Sequence, residues 1–227
     1  MRRKPESEAI DEMAQARRYH AVMGRSFMQH EYRRIGRQVA RMLPDGGRVL
    51  DIGTGPGYVA LEVAARLGDR ADVVGLDLSK AMLTIAAENA RAAGLRDNVA
   101  WAFGDAASMP FADGTFDFVV SSGSLHHWRD PVSVFAEVAR VLTPVGGYLI
   151  SDLQRLKSPL PRACAWLIGM SIPPDFRKHF WSSIESAYTP NELAGMLDQS
   201  ELGGWTIERE FVGLRIFRAP RQGPSRR

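Results

Sequence analysis

The 227-residue chain predicts an α/β fold: a three-layer, doubly wound sheet of seven strands with its last strand antiparallel, preceded by N-terminal helices. Three observations predict it. Residues 48–52 read as a short buried strand. They run directly into Gly53-x-Gly55-x-Gly57 and then a segment apolar at Val59, Ala60, Val63, Ala64 and Leu67, which is helical spacing. Strand-like and helix-like segments then alternate as far as residue 153, and 206–211 with 214–218 read as a closing antiparallel pair.

Taken in order, residues 6–19 and 26–42 read as two helices ahead of the first strand. In the second, Ile35, Val39 and Met42 share a stripe while Arg33, Arg34, Arg37 and Arg41 fall mostly off it. Residues 19–25 between them are less regular. After the glycine turn and its helix, residues 71–77 (ADVVGLD) form a second strand ending in Asp77. Ser79 caps the next helix, which Gly94 stops. Residues 99–103 are the third strand, closed by Gly104-Asp105-Ala106. A turn at Asp113-Gly114 leads into the fourth, 116–121. Pro131 opens a helix with Asp130 as its N-cap, residues 143–147 end it, and 148–153 make the fifth strand. Thr189-Pro190-Asn191-Glu192 is a capping box opening a last helix. Between the fifth strand and that helix, residues 159–188 hold Trp166, Met170, Phe180 and Trp181, divided by Pro173-Pro174. This segment is expected to form a mobile lid whose inner face lines an apolar acceptor pocket above His126.

The glycine turn carries the chemistry. Glycines at alternate positions let the backbone turn sharply and approach a ligand with no Cβ in the way. The helix start that follows presents unpaired N–H groups to whatever occupies the turn. The spacing is not the G-x-G-x-x-G that holds a pyrophosphate, and Asp51 just before it would repel one while suiting a cation. At the tip of the second strand, Asp77 can accept from both hydroxyls of a ribose.

Residues 49–58 (VLDIGTGPGY) resemble motif I of the class I S-adenosylmethionine (SAM) dependent methyltransferases. The resemblance covers about residues 48–153, and its closest general likeness is to bacterial small-molecule enzymes, including the quinone-biosynthesis C-methyltransferase type. It implies a Rossmann-like fold and SAM as cofactor, with S-adenosylhomocysteine as product. SAM carries a sulfonium and an ammonium, so an acidic rim suits it. The implied cofactor-binding residues are Tyr19, Asp51, Gly53, Gly55, Gly57, Asp77, Leu78, Met82, Gly104, Asp105, Ala106 and Ser121. Among these, Gly104-Asp105-Ala106 matches the family's adenine contact. Pro110-Phe111-Ala112-Asp113-Gly114-Thr115-Phe116-Asp117 matches a pattern common in its members. The asparagine-proline-proline-tyrosine signature of amine methyltransferases is absent, Ser121-Ser122-Gly123-Ser124 standing in its place.

Methyl transfer needs a base only where the acceptor must lose a proton. His126 and His127, which follow the fourth strand, are the catalytic candidates, since imidazole titrates near neutral pH. No third ligand stands at useful spacing for a metal site. The only cysteine, Cys164, excludes an internal disulfide and a cysteine-based zinc site. No apolar run approaches the ~20 residues that span a bilayer. No apolar segment follows the basic start Met1-Arg2-Arg3-Lys4, so the expected location is cytoplasmic.

The net charge is +3, but Arg2, Arg3, Lys4, Arg218, Arg221, Arg226 and Arg227 lie at the two ends; without those seven charges the body stands near −4. A nucleic-acid footprint on the folded body is therefore not expected. The expected organisation is one domain: a helical cap over 1–47, a cofactor-binding core over 48–153, the lid or acceptor segment over 154–200, closing strands over 201–219 and a disordered tail over 220–227. The favoured function is methylation of a small, partly apolar molecule. The alternatives are an RNA or protein methyltransferase tethered by its basic tails, or a SAM-binding protein without methyl transfer. A homodimer is compatible with all three.

Overall fold

A computed structural model describes residue 3, residues 10–24 and residues 28–221. The element order is α1 (Met13–Met23), α2 (Met28–Met42), β1 (Gly47–Ile52), α3 (Tyr58–Leu67), β2 (Ala71–Asp77), α4 (Lys80–Ala92), β3 (Val99–Phe103), β4 (Phe116–Ser122), α5 (Pro131–Val141), β5 (Leu142–Leu153), α6 (Pro159–Met170), α7 (Pro174–Ser186), α8 (Pro190–Leu197), β6 (Thr206–Arg209) and β7 (Gly213–Arg218). The seven strands form one sheet in the order β3-β2-β1-β4-β5-β7-β6. β1 to β5 pair in parallel, and β7 runs antiparallel between β5 and β6. The expected fold class, seven strands with the last antiparallel, is the one observed.

Both faces of the central strands are covered, which is why they read as nearly continuous apolar runs. Alternation along β1 sends Leu50 and Ile52 to one face, with Phe135 and Val138 of α5 and Leu193 of α8. Val49 goes to the other, with Ile35 and Val39 of α2 and Val63 of α3. The same parity directs Asp51 towards α3. Gly36 lets α2 approach α3 closely, since a Cβ there would lie 2.8 Å from Glu62 Cβ. A smaller cluster joins Ala16 of α1 to Ala81, Met82 and Ile85 of α4.

Several boundaries differ from expectation. α1 runs through Tyr19 to Met23 instead of ending at 19, and residues 10–12 are not helical; residues 6–9, expected in that helix, lie outside the described residues. Tertiary contact explains the extension: the Tyr58 hydroxyl meets His20 Nδ1 at 2.7 Å, and Ala16 is wholly buried on α4. β5 begins at Leu142, with a register shift against β4 between Phe116 and Phe118, so residues 143–147 stay extended where a turn was expected. β6 is a short edge strand, because the chain turns back where Glu210 N donates to the Gly213 carbonyl at 2.9 Å. The chain remains ordered at Pro220 and Arg221, where Arg221 N donates to the Val145 carbonyl at 2.8 Å; the rest of the expected disordered tail, 222–227, lies outside the described residues.

Residues 159–186 fold as two helices. Phe180 and Trp181 of α7 pack with Leu156, Ala165 and Ile184 in a satellite cluster, while Trp166 and Met170 of α6 are 57% and 54% exposed. These four side chains therefore do not share one inward face. α7 packs against the 3-10 turn Leu125–His127.

Phe118 is fully buried on β4, in the cluster shared with α2 and α3. Phe118→Ala is expected to cost about 3–5 kcal/mol of unfolding free energy in urea titration. A loss under about 1 kcal/mol would mean that this face of the sheet is not the packed core described here.

Candidate active site

The loop between β1 and α3 has a separate reason for each glycine. All three carry positive φ: 65° at Gly53, 52° at Gly55 and 82° at Gly57. A Cβ at Gly53 would lie 2.5 Å from Ser124 Cβ, and one at Gly57 2.6 Å from Trp101 Cη2. At Gly55 it would meet nothing within 4 Å, so the middle of the loop faces open space. That open side is a cleft lined by Tyr19, Tyr32, Asp51, Gly53, Tyr58 and Gly123, among others. A wider, charged cavity lined by Arg48, Asp72 and Asp117 opens at the amino ends of the strands, away from the carboxyl edge where doubly wound sheets bind ligands.

Two carboxylates hold the loop. Asp51 is 1% exposed, and its Oδ2 accepts from Thr54 Oγ1 at 2.7 Å and from Ala60 N at 3.1 Å. Burial raises its pKa to about 7 against these two bonds, with the neighbouring Asp77 charge adding to the rise. Asp77 Oδ2 accepts from Gly55 N at 2.7 Å and Oδ1 from Ser79 N at 2.8 Å. Burial pushes Asp77 up as well, and its backbone donors oppose the shift. A carboxylate has about four lone-pair sites, so Asp77 keeps acceptor capacity beyond its backbone amide donors.

Beside Asp77, Gly104 N donates to the Asp77 carbonyl at 3.1 Å, bringing the start of the Gly104-Asp105-Ala106 turn to the same rim. Asp105 is exposed there and accepts from Ala107 N at 2.8 Å. Leu78 is partly buried; Met82 is buried in the cluster against which Tyr19 packs. Ser79 Oγ accepts from Met82 N at 3.1 Å and donates to the Ile10 carbonyl at 2.5 Å, drawing the segment before α1 across the start of α4.

At the end of β4, Ser121 lies under the cleft floor. Its wholly buried hydroxyl donates to the Ile52 carbonyl at 2.9 Å and meets Ser124 Oγ at 2.8 Å, so it ties β4 to β1 while Ser122 and Gly123 reach the cleft. His126 follows in the 3-10 turn. Its Nδ1 lies 2.8 and 3.0 Å from the two Asp152 oxygens, and its backbone N–H donates to Asp152 Oδ2 at 2.8 Å. Both side chains are buried, at 6% and 1% exposure. A carboxylate on Nδ1 fixes the ring proton there and makes Nε2 the basic nitrogen. The ring centroids of His126 and His127 are 4.0 Å apart. Arg3 donates to the carbonyls of His126 at 2.9 Å and Ser186 at 2.6 Å, with its guanidinium 4.2 Å from the centre of the Tyr188 ring.

Sequence reasoning missed Tyr32, Tyr58, Ser122, Gly123 and Asp152. Asp152 had a local signal, a carboxylate near the carboxyl end of a buried strand, as at Asp77. Tyr58 stands at the end of the glycine motif, next to the loop, but Tyr32 had no local signal, because its position follows from the way α2 and α3 pack together: Tyr32 and Tyr58 stack with centroids 5.1 Å apart.

Asp51 binds its proton more tightly folded than unfolded, so its contribution to stability is present in acid and fades as pH rises through about 4 to 7. The difference in unfolding free energy between the wild type and Asp51→Asn, by urea titration, is expected to move against the wild type across that window. The slope is at most about 1.4 kcal/mol per pH unit. A constant difference would mean Asp51 titrates normally.

The chain was compared with known proteins. Residues 49–146 match the family described as "Methyltransferase domain". The methyltransferase GfsG of Streptomyces halstedii is 33% identical over 149 residues, 66% of this chain and 48% of that protein. A ubiquinone/menaquinone biosynthesis C-methyltransferase, UbiE, of Geotalea uraniireducens is 27% identical over 76% of this chain and 74% of its own length. The chain spans about half the length of the first relatives it matches. Among solved structures, a putative SAM-dependent methyltransferase from Methanococcus maripaludis aligns over 98% of this chain and 99% of its own, with TM-score 0.75 and 22% identity. The domain match over residues 49–146 and the order of the sheet together give this chain the fold of SAM-dependent methyltransferases of solved structure.

Proposed function

We propose that this protein transfers a methyl group from SAM to a small, partly apolar acceptor, with His126 as general base. The observation that carries the proposal is the buried His126–Asp152 pair at the carboxyl edge of the sheet. The donor site fits SAM on its chemistry. An acidic, aromatic cleft suits a ligand with a sulfonium and an ammonium, and the loop opens at Gly55 where a side chain would intrude. Tyr19, Asp51, Gly53, Gly55 and Gly57 would hold the methionine part, Asp77 the ribose, and Leu78, Met82, Gly104, Asp105 and Ala106 the adenine. When bound, SAM supplies an electrophilic methyl group already activated for in-line displacement.

The protein's own task is placement and proton removal. His126 accepts the acceptor's proton at Nε2, and Asp152 stabilises the imidazolium that results. Asp152 is a positioning residue: it fixes the ring through Nδ1 and the turn through the His126 backbone N–H. His127, its ring tilted 40° to that of His126, packs beside the base and limits its rotation. Small quinols and phenols are the acceptor class this base suits, in keeping with relatives named for quinone and naphthoquinone methylation.

Asp77→Asn is expected to weaken SAM binding by about 1.5–3 kcal/mol, the range for hydrogen bonds to a charged acceptor. Calorimetry showing equal affinity would remove Asp77 from the ribose. His126→Gln is expected to lower turnover on phenolic acceptors about a hundredfold or more, read as S-adenosylhomocysteine release, with SAM affinity unchanged. In Asp152→Asn the acidic limb of the pH–rate profile should move to lower pH, because the carboxylate no longer favours the imidazolium. Full turnover by His126→Gln would rule out the base assignment.

A further inference from the structure

Helix α6 is buried the wrong way round for a helix on a water-facing surface. It buries only the small residues Ala165 and Gly169, while Leu160, Trp166, Leu167 and Met170 are 65%, 57%, 60% and 54% exposed. These are four of the eight large apolar side chains exposed among the described residues, gathered on one helix of 12 residues. The inner face is taken up by α7: a Cβ at Gly169 would already touch Phe180 at 3.7 Å, so large side chains have no room inward. A contiguous exposed apolar face of this kind marks an interaction surface.

Its rim is basic. Lys157 stands just before the helix, exposed, and the Arg162 guanidinium lies 5.9 Å from the centre of the Trp181 ring. Arg177 donates to the carbonyls of Ile172 at 3.0 Å and Met170 at 3.2 Å, next to the apolar face, and Lys178 is exposed beside it. α6 contains no carboxylate, and Asp175 is the only one between Lys157 and Trp181. We infer that the apolar face of α6, with Lys157, Arg162, Arg177 and Lys178 around it, docks on the surface of an anionic lipid bilayer. An apolar face carrying a tryptophan inside a cationic rim is the pattern of helices that lie in the membrane interface. A second copy fits less well, because a two-fold contact would bring one basic rim against the other. α7 packs on α6 and also on the turn that holds His126, so it joins the docked helix to the acceptor side. An acceptor dissolved in the bilayer would arrive there, a consequence that rests on the proposed function; the docking does not.

The test is co-sedimentation of the full chain with vesicles of phosphatidylcholine, alone or mixed with phosphatidylglycerol. The expected result is binding to the mixed vesicles, weakened by salt and at least about tenfold weaker on phosphatidylcholine alone. The double variants Trp166→Ser/Leu167→Ser and Lys157→Glu/Lys178→Glu should each lose that binding while keeping the wild-type circular dichroism spectrum. SAM binding, measured in parallel, reports on the donor site and leaves the docking result independent of it. Equal binding of wild type and the serine variant, or no binding to mixed vesicles, would overturn the inference. So would a concentration-dependent dimer that the serine variant abolishes, which would give the face to a second copy.

Discussion

The Asp51 carboxylate is the constraint on which the site depends. It lies one residue before the end of β1, buried, and it stays there because Thr54 Oγ1 and Ala60 N both donate to it. Those bonds tie the last turn of the strand to the first turn of α3, which fixes the path of the glycine loop between them. Asp77 does the same from the neighbouring strand, accepting from Gly55 in the middle of that loop. Two carboxylates on adjacent strands thus hold one backbone turn from both sides. The cost is desolvation, visible in the raised pKa of Asp51, and a bound cation would offset it.

Across the sheet, the ends of β4 and β5 set the acceptor side. Ser122 pairs with Ser151 in register, and Gly123 N donates to the Ser151 carbonyl at 2.9 Å. That register delivers Asp152 one residue further along, next to the 3-10 turn that carries His126. The carboxylate accepts from the turn's backbone as well as from the ring, so the same group shapes the loop and sets the proton. Tyr188 closes this region from outside, its hydroxyl donating to the Trp128 carbonyl at 3.2 Å.

α6 and α7 show how little local pattern says about the direction a side chain faces. The prolines before each helix and the aromatic content were legible in the sequence, and both helices start at proline. The expectation that Trp166, Met170, Phe180 and Trp181 share an inner face was not met. Phe180 and Trp181 fill the space against Leu156 and Ile184, leaving room only for Ala165 and Gly169 from α6.

By itself the sequence determined the parallel strands, the glycine turn, the acid at each of two strand tips and the caps at Ser79, Asp130 and Thr189. Each is a local matter of apolar period, left-handed backbone or a side chain reaching its own helix start. Only the tertiary structure decided which groups meet. His126 and Asp152 lie 26 residues apart and become partners through the pairing of β4 with β5. Tyr32 and Tyr58 reach the cleft because Gly36 lets α2 approach α3. Ser121, expected at the cofactor, instead gives its hydroxyl to Ile52, since parallel pairing with β1 puts that carbonyl within reach. The physical reason is the same in each case: a side chain's partner is chosen by register and packing between distant segments, and no period within one segment carries that information.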